Sequence, residues 1–183
     1  MKWLDRYLQK VRIRKAGAHL PDFSRVLDIG CHQGELFNQL QHKHLTGTGI
    51  DLLIENAKTI ADGTVQLIPG SFPAALQTHE QFDAITALAV VEHIPEVDLQ
   101  DFFCACYAHL KTGGLLICTV PDSKVDSILS MLNKLALVDG MSIDDHHEFD
   151  AMQTIALAAK AGFKLLSHKT FQLGLNNVFV FGK

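Results

Sequence analysis

Residues 26–34 read Val-Leu-Asp-Ile-Gly-Cys-His-Gln-Gly, and Ile50-Asp51 closes a second apolar segment seventeen residues after Gly34. The first segment is apolar, carries an acid near its end and runs into a glycine-bearing turn that opens a helical stretch. The second segment again ends in an acid. Strand, tight turn, helix and strand form the unit from which parallel sheets are wound. Acids at the carboxyl ends of adjacent strands face the crevice where such sheets bind nucleoside-bearing ligands. The spacing therefore predicts an α/β fold with its chemistry at the carboxyl edge of the sheet.

The composition is compatible with that fold. A chain of 183 residues suits one domain with a single core. With 48% hydrophobic and 20% charged residues it has enough apolar surface to fold. Its apolar runs stay far below the roughly 18 residues that cross a bilayer, and no leader-like pattern opens it. Cys104 and Cys106 are two apart in a helical stretch, so their side chains diverge and make a poor metal or disulfide pair. Together with Cys31 and Cys118 they read as reduced thiols of a cytoplasmic protein. Residues 1–15 carry six Lys and Arg against Asp5 alone, a net +5 in a chain whose total is −4, so the remainder sums to −9. So acidic a body argues against nucleic acid as a partner, because phosphate neutralisation supplies most such affinity.

Trp3, Leu4, Tyr7, Leu8 and Val11 recur at three- and four-residue spacing, which predicts an amphipathic helix with a basic opposite face. Strands are expected over 25–30, 46–53, 65–68, 82–89 and 115–120. Helices are expected over 34–43, over 54–61 and from an Asp98 cap to Leu110. Residues 125–137 read as a helix within a long connection. Asp150 with Gln153 resembles a capping box for a helix over 151–161, which Gly162 ends. Residues 163–171 and 177–181 follow one another without a helix between them, so they pair antiparallel.

Four segments in this order resemble the class I S-adenosylmethionine-dependent methyltransferases. Residues 26–34 resemble the family's first motif and Gly49-Ile50-Asp51 its second. Phe82-Asp83-Ala84-Ile85-Thr86-Ala87-Leu88-Ala89-Val90-Val91-Glu92-His93-Ile94 resembles the fourth-strand motif, which often ends in Glu-His. Leu110-Lys111-Thr112-Gly113-Gly114 is a further match. The resemblance covers residues 20–183 and implies a Rossmann-like, doubly wound, seven-stranded α/β sheet, mostly parallel with a C-terminal antiparallel hairpin. Residues 1–20 then form an amphipathic lid helix, 21–183 the domain, and 121–148 an inserted segment that caps the substrate.

The resemblance also implies S-adenosyl-L-methionine as cofactor. Gly30, Cys31, His32 and Gly34 would form the turn around its methionine part, where a missing Cβ lets the backbone approach closely. Asp51 would accept both ribose hydroxyl protons, unless it only caps a helix. Asp28 would hold the turn or, through water, the cofactor's ammonium group. Leu52 and Phe72 would flank the adenine and Ser71 would bond its edge, although Phe72 reads equally as core. Leu88 and Ala89 would lie under the methionine portion. Two positions depart from the family pattern: His32 stands where a glycine is usual, and Ser71 where an acid is common.

Methyl transfer needs mainly placement, and a base where the acceptor is a hydroxyl or amine. His93, His146 and His147 are the candidates, because histidine titrates near neutrality. Glu92-His93 could instead brace its loop, and Asp144-Asp145-His146-His147-Glu148 could be a solvated loop. No metal is assigned. A cation held by Glu92, His93 and His146 or His147 would resemble the small-RNA 2′-O-methyltransferases, whose first acid falls here at Ala89. The expected acceptor is a small molecule or a glycan- or lipid-linked group, taken by a monomer or homodimer. A membrane-surface role for the basic helix, a nicotinamide enzyme and a catalytically silent binding module are the weaker alternatives. Gly30 and Gly34 lack the middle glycine of the dinucleotide turn. Deleting residues 1–15 is expected to impair turnover more than cofactor affinity.

Overall fold

A computed structural model describes residues 3–76, 80–122 and 150–183, and of residues 3 and 4 the backbone alone. After helix α1 (Trp3–Gly17) come strand β1 (Arg25–Ile29), α2 (Glu35–Gln39), β2 (Thr46–Asp51), β3 (Lys58–Ile60), β4 (Val65–Pro69), β5 (Phe82–Leu88), α3 (Glu96–His109) and β6 (Leu110–Pro121). Helix α4 (Gln153–Lys160) then precedes β7 (Lys164–Phe171) and β8 (Asn176–Gly182). The eight strands form one sheet in the order β3-β4-β2-β1-β5-β6-β8-β7. Strands β4, β2, β1, β5 and β6 run parallel, β3 at one edge and β8 beside β6 run against them, and β7 at the other edge pairs antiparallel with β8. The expected C-terminal hairpin is present, and its register shifts between Leu165 and Ser167.

The eighth strand corrects the sequence reading. Residues 54–61 were expected to form the crossover helix after β2. They instead supply β3 and enter a short 3₁₀ turn over Ala61–Gly63, in which Ala61 and Asp62 have positive φ. Only Ile54 of this segment is fully buried, so a helix here would have no apolar stripe to cover the sheet. Two caps also differ. Pro95 is the N-cap of α3, and Asp98 sits inside its first turn. The Asp150 carboxylate accepts the Met152 N–H at 2.9 Å instead of that of Gln153, so the expected capping box does not form; Met152 is the N-cap, without a side-chain cap bond, and α4 begins at Gln153. Residues 125–137 lie outside the described residues.

Alternating side chains of the central strands feed two apolar layers, as a sheet buried on both faces requires. Leu27, Ile85, Cys118 and Phe179 point into one, where Phe102 and Phe103 of α3, Ala158 of α4, Phe163 and Phe181 pack with them. Val26, Ala84, Ile117, Val178 and Val180 point into the other, against Val11, Ile13 and Ala16 of α1 and Leu36 and Phe37 of α2. The apolar stripe of α1 is thus displaced from the expected one. Tyr7 is 57% exposed, and the helix anchors instead through Val11, Ile13 and Ala16, with Leu20 just beyond it. Removing residues 1–15 would strip Val11 and Ile13 from the core, so such a deletion tests folding before turnover. At the amino edge, Asp83 accepts the Arg25 N–H at 2.8 Å and pairs with Lys111 at 2.7 Å, tying β5 to β1 and β6. Those partners hold its carboxyl below the usual range despite the opposing effect of burial.

Phe103 is wholly buried at the centre of the α3 layer and meets Phe102 edge-on. Phe103→Ala should destabilise the fold by about 3–5 kcal/mol, read as a lower urea midpoint at unchanged slope.

Candidate active site

The strand order reverses direction at β1, with β2 on one side and β5 on the other, so a crevice opens there between connections that leave to opposite sides. Paired registers bring the carboxyl ends of β1, β2, β4, β5 and β6 to one edge. Ile29 lies beside Ile50 and Ala87, Asp51 beside Pro69, and Leu88 beside Thr119.

The turn after β1 is built onto the end of β2. The N–H groups of Gly30 and Cys31 donate to the Ile50 carbonyl at 2.9 and 3.2 Å. The His32 N–H donates to the Asp51 carboxylate at 2.7 Å, and Asp51 accepts the Leu53 N–H on its other oxygen at 2.8 Å. Each carboxylate oxygen keeps a second lone pair, so Asp51 can anchor the turn and still accept from a ligand. A Cβ on Gly30 would sit 2.5 Å from a Val90 methyl, and one on Gly34 would sit 2.5 Å from the Ile60 side chain. Both residues have positive φ. His32 also has positive φ, at 47°. Histidine is among the non-glycine types that tolerate this region. Its ring leaves the turn to lie 2.8 Å from Glu35, whose other oxygen accepts the Gln33 N–H. The departure from glycine therefore leaves the turn open.

Asp28 is buried at 4% exposure and accepts the Thr86 hydroxyl at 2.6 Å. Burial pushes its pKa up to about 7. The Thr86 bond opposes that rise, and the charges of Glu35 and Asp51 add to it. Cys31 contributes its backbone to the turn but buries its thiol in the α1 layer, which raises the thiol pKa. Leu52 is 76% exposed beyond Asp51. Ser71 is exposed and follows Gly70, whose N–H donates to the Asp51 carbonyl at 3.2 Å. Phe72 is half-buried and packs edge-on against Phe102 and His109, with centroids 5.7 and 5.8 Å away. At the end of β5, Ala89 has positive φ, and its N–H donates to the Thr119 carbonyl at 2.9 Å.

The 3₁₀ turn Val91–His93 directs its two polar side chains oppositely, with Glu92 buried and His93 exposed. Burial lifts the Glu92 pKa to about 7, while its own N–H and the Arg12 guanidinium of α1 pull it back. Arg12 is a residue the sequence reading passed over as part of a basic face. Its position between Val11 and Ile13, both buried, is the signal that would have found it. Thr86, partner to Asp28, carried no such signal. His146 and His147, with the rest of 144–148, lie outside the described residues. Among the described residues no group of three or more His, Cys, Asp or Glu could hold a metal ion. No described helix is long and apolar enough to cross a membrane.

Asp28 and Glu92 keep their protons to about pH 7 in the fold but release them near pH 4 when unfolded. Between those values the unfolded chain binds fewer protons than the native one, so stability falls as pH rises. The unliganded protein should melt about 5 °C or more lower at pH 8 than at pH 5.5, and Asp28→Asn should shrink that difference. Thermal melts at the two pH values decide it.

The sequence matches the family described as "Methyltransferase domain" over residues 2–168. It is 30% identical to the mitochondrial ubiquinone biosynthesis O-methyltransferase of Bos taurus over 139 residues, 70% of this chain and 37% of that protein. It is 29% identical to the ubiquinone biosynthesis O-methyltransferase of Xanthomonas axonopodis pv. citri over 170 residues, 86% of this chain and 70% of that protein. The chain spans about a third of the length of the mammalian relatives it matches. Its fold is that of the 1,6-didemethyltoxoflavin-N1-methyltransferase of Burkholderia thailandensis. The TM-score is 0.71 at 16% identity, over 98% of this chain and 81% of that one. The chain belongs to the methyltransferase-domain family and has the fold of its class I, S-adenosylmethionine-dependent members.

Proposed function

We propose that the chain transfers a methyl group from S-adenosyl-L-methionine to a hydroxyl, amine or carbon of a small-molecule or glycan- or lipid-linked acceptor. The observation that carries this reading is Asp51. Its carboxylate fixes the turn after β1 and keeps lone pairs free at the strand end, beside a turn whose glycines have no room for a Cβ. That combination fits the ribose and methionine parts of the cofactor. Relatives named for ubiquinone biosynthesis support a small-molecule acceptor.

When bound, the cofactor supplies a methyl group on a sulfonium, and the protein's share is placement and proton handling. Gly30, Cys31, His32 and Gly34 would admit the methionine portion, with Leu88 and Ala89 beneath it. Asp51 would hold the ribose, while Leu52, Ser71 and Phe72 would stand on the adenine side. Asp28 would meet the ammonium group, directly or through water. Of the Glu92-His93 pair, Glu92 is the one turned inward and held near neutrality, which supports it over His93 as the acceptor of a hydroxyl proton. Arg12 of α1, whose charge acts on Glu92, would bring the influence of that helix to the site. Four free cysteines support a cytoplasmic setting, and the acidic body supports a partner other than nucleic acid.

Calorimetric titration with S-adenosylhomocysteine should give micromolar affinity, weakened about 10- to 100-fold by Asp51→Ala, the loss expected for hydrogen bonds to a charged acceptor. Equal binding by wild type and variant would remove the reading. A ligand ammonium near Asp28 favours the ionised carboxyl, so wild-type affinity should rise about tenfold from pH 6 to pH 8 and then level off. Asp28→Asn should flatten that dependence.

A further inference from the structure

Strand β5 pairs with β6 as far as Leu88 and Thr119. One residue later the chain leaves the ladder through Ala89, whose φ of 58° lies in the left-handed region. That region is unfavourable for a residue with a Cβ, and such residues persist only where their surroundings over-determine them. Two contacts do so here. On one side the Ala89 N–H donates to the Thr119 carbonyl at 2.9 Å. On the other, the next side chain, Val90, lies against the turn after β1: a Cβ added to Gly30 would come 2.5 Å from the Val90 Cγ2 methyl. Val90 is half-buried, and its branched Cβ restricts it to few rotamers.

The turn that follows is built on Val90. Its carbonyl accepts the His93 N–H at 2.9 Å, and the Val91 carbonyl accepts the Ile94 N–H at 3.2 Å. These bonds close the 3₁₀ turn that puts Val91 in the α3 layer and Glu92 inside, with His93 outside. The Glu92 carboxyl is not tethered from across the site. Its Oε2 has no hydrogen-bond partner among the described residues, and the hydrogen bond that acts on the carboxyl comes from its own N–H. The titratable groups that bear on it are Arg12 of α1, which favours its charge, and the Cys118 thiol of β6. Burial opposes that charge, so a carboxyl free to swing into water would do so. The backbone of the turn keeps it inside, and Val90 is where that backbone meets the cofactor turn.

We propose that Val90 is a positioning residue: seated on Gly30, it ties the cofactor turn to the turn that carries Glu92 and so keeps that carboxyl inside. Gly30 then has a second reason to lack a Cβ, because the seat of Val90 lies there. The part this plays in methyl transfer rests on the reading of Glu92 as proton acceptor, but the positioning itself can be measured without an acceptor. The measurement is the thermal melt of the unliganded protein at pH 5.5 and pH 8 in an Asp28→Asn background. A carboxyl that keeps its proton to about pH 7 only when folded makes the protein melt lower at the higher pH. With Asp28 neutralised, Glu92 should contribute a drop of about 3 °C, read as the part that Glu92→Gln removes. Val90→Ala should at least halve that share, because Glu92 then reaches water and titrates closer to its usual range. Val90→Ile, which keeps the Cγ2 methyl, should retain it. A valine that merely filled space would lower both melts together and leave the share of Glu92 intact.

Three results would overturn the proposal: Glu92→Gln removes no part of the drop, Val90→Ala keeps the share of Glu92 in full, or Val90→Ile loses it as Val90→Ala does. Failure of S-adenosylhomocysteine to bind would instead strike the methyltransferase reading. The melts of the unliganded protein would still judge Val90.

Discussion

Five parallel strands covered by apolar layers on both faces leave polar chemistry one outlet, the edge where the strands end. Everything else follows from that constraint. Inside the sheet the backbone groups are satisfied by the ladder and most buried side chains are apolar. At the carboxyl edge the ladder stops, and the freed N–H groups of residues 30–32 must find other acceptors. They find the Ile50 carbonyl and the Asp51 carboxylate, so the turn that begins the site is also the seam that closes β1 onto β2. The buried acids Asp28 and Glu92, both held near neutrality, sit at this edge for the same reason: only here does the sheet leave room for them.

How far the sequence carried the reading depended on how local each signal was. The turn after β1, the acids of β1 and β2, and the Glu-His after β5 are contiguous strings whose physical meaning survives without neighbours. The parallel core was legible because the stretches 26–29, 84–89 and 115–120 are mostly apolar. Residues 54–61 misled because a segment between two parallel strands is expected to be a crossover helix. The sequence contains no rule for a three-residue strand added at an edge. The stripe of α1 misled because periodicity alone cannot say which turn of a helix meets the sheet. Tyr7 fits the period but faces solvent, while Ile13, out of that register, is buried. Pairings such as Thr86 with Asp28, 58 residues apart, had no local signature at all.

Helix α1 joins these scales. Its basic character looks like a surface property in the sequence, yet Arg12 sits between two core residues, and its charge acts on the buried carboxyl of Glu92. Burial disfavours the charge on both groups, and the charge of each favours that of the other. That mutual effect bears on how α1 lies on the sheet more than on how tightly it holds there.

The strand that the sequence reading missed also bears on how copies of the chain behave toward each other. An open sheet ends in unpaired backbone groups that can template a foreign strand. Here one border is β3, three residues long and beginning in Lys58. The other is β7, which carries Lys164 and Lys169 and breaks register between Leu165 and Ser167. A short border, charged residues and a broken register all discourage edge-to-edge growth. Leu165 and Leu166, exposed on β7, thus lie on a border that makes a poor template for a foreign strand.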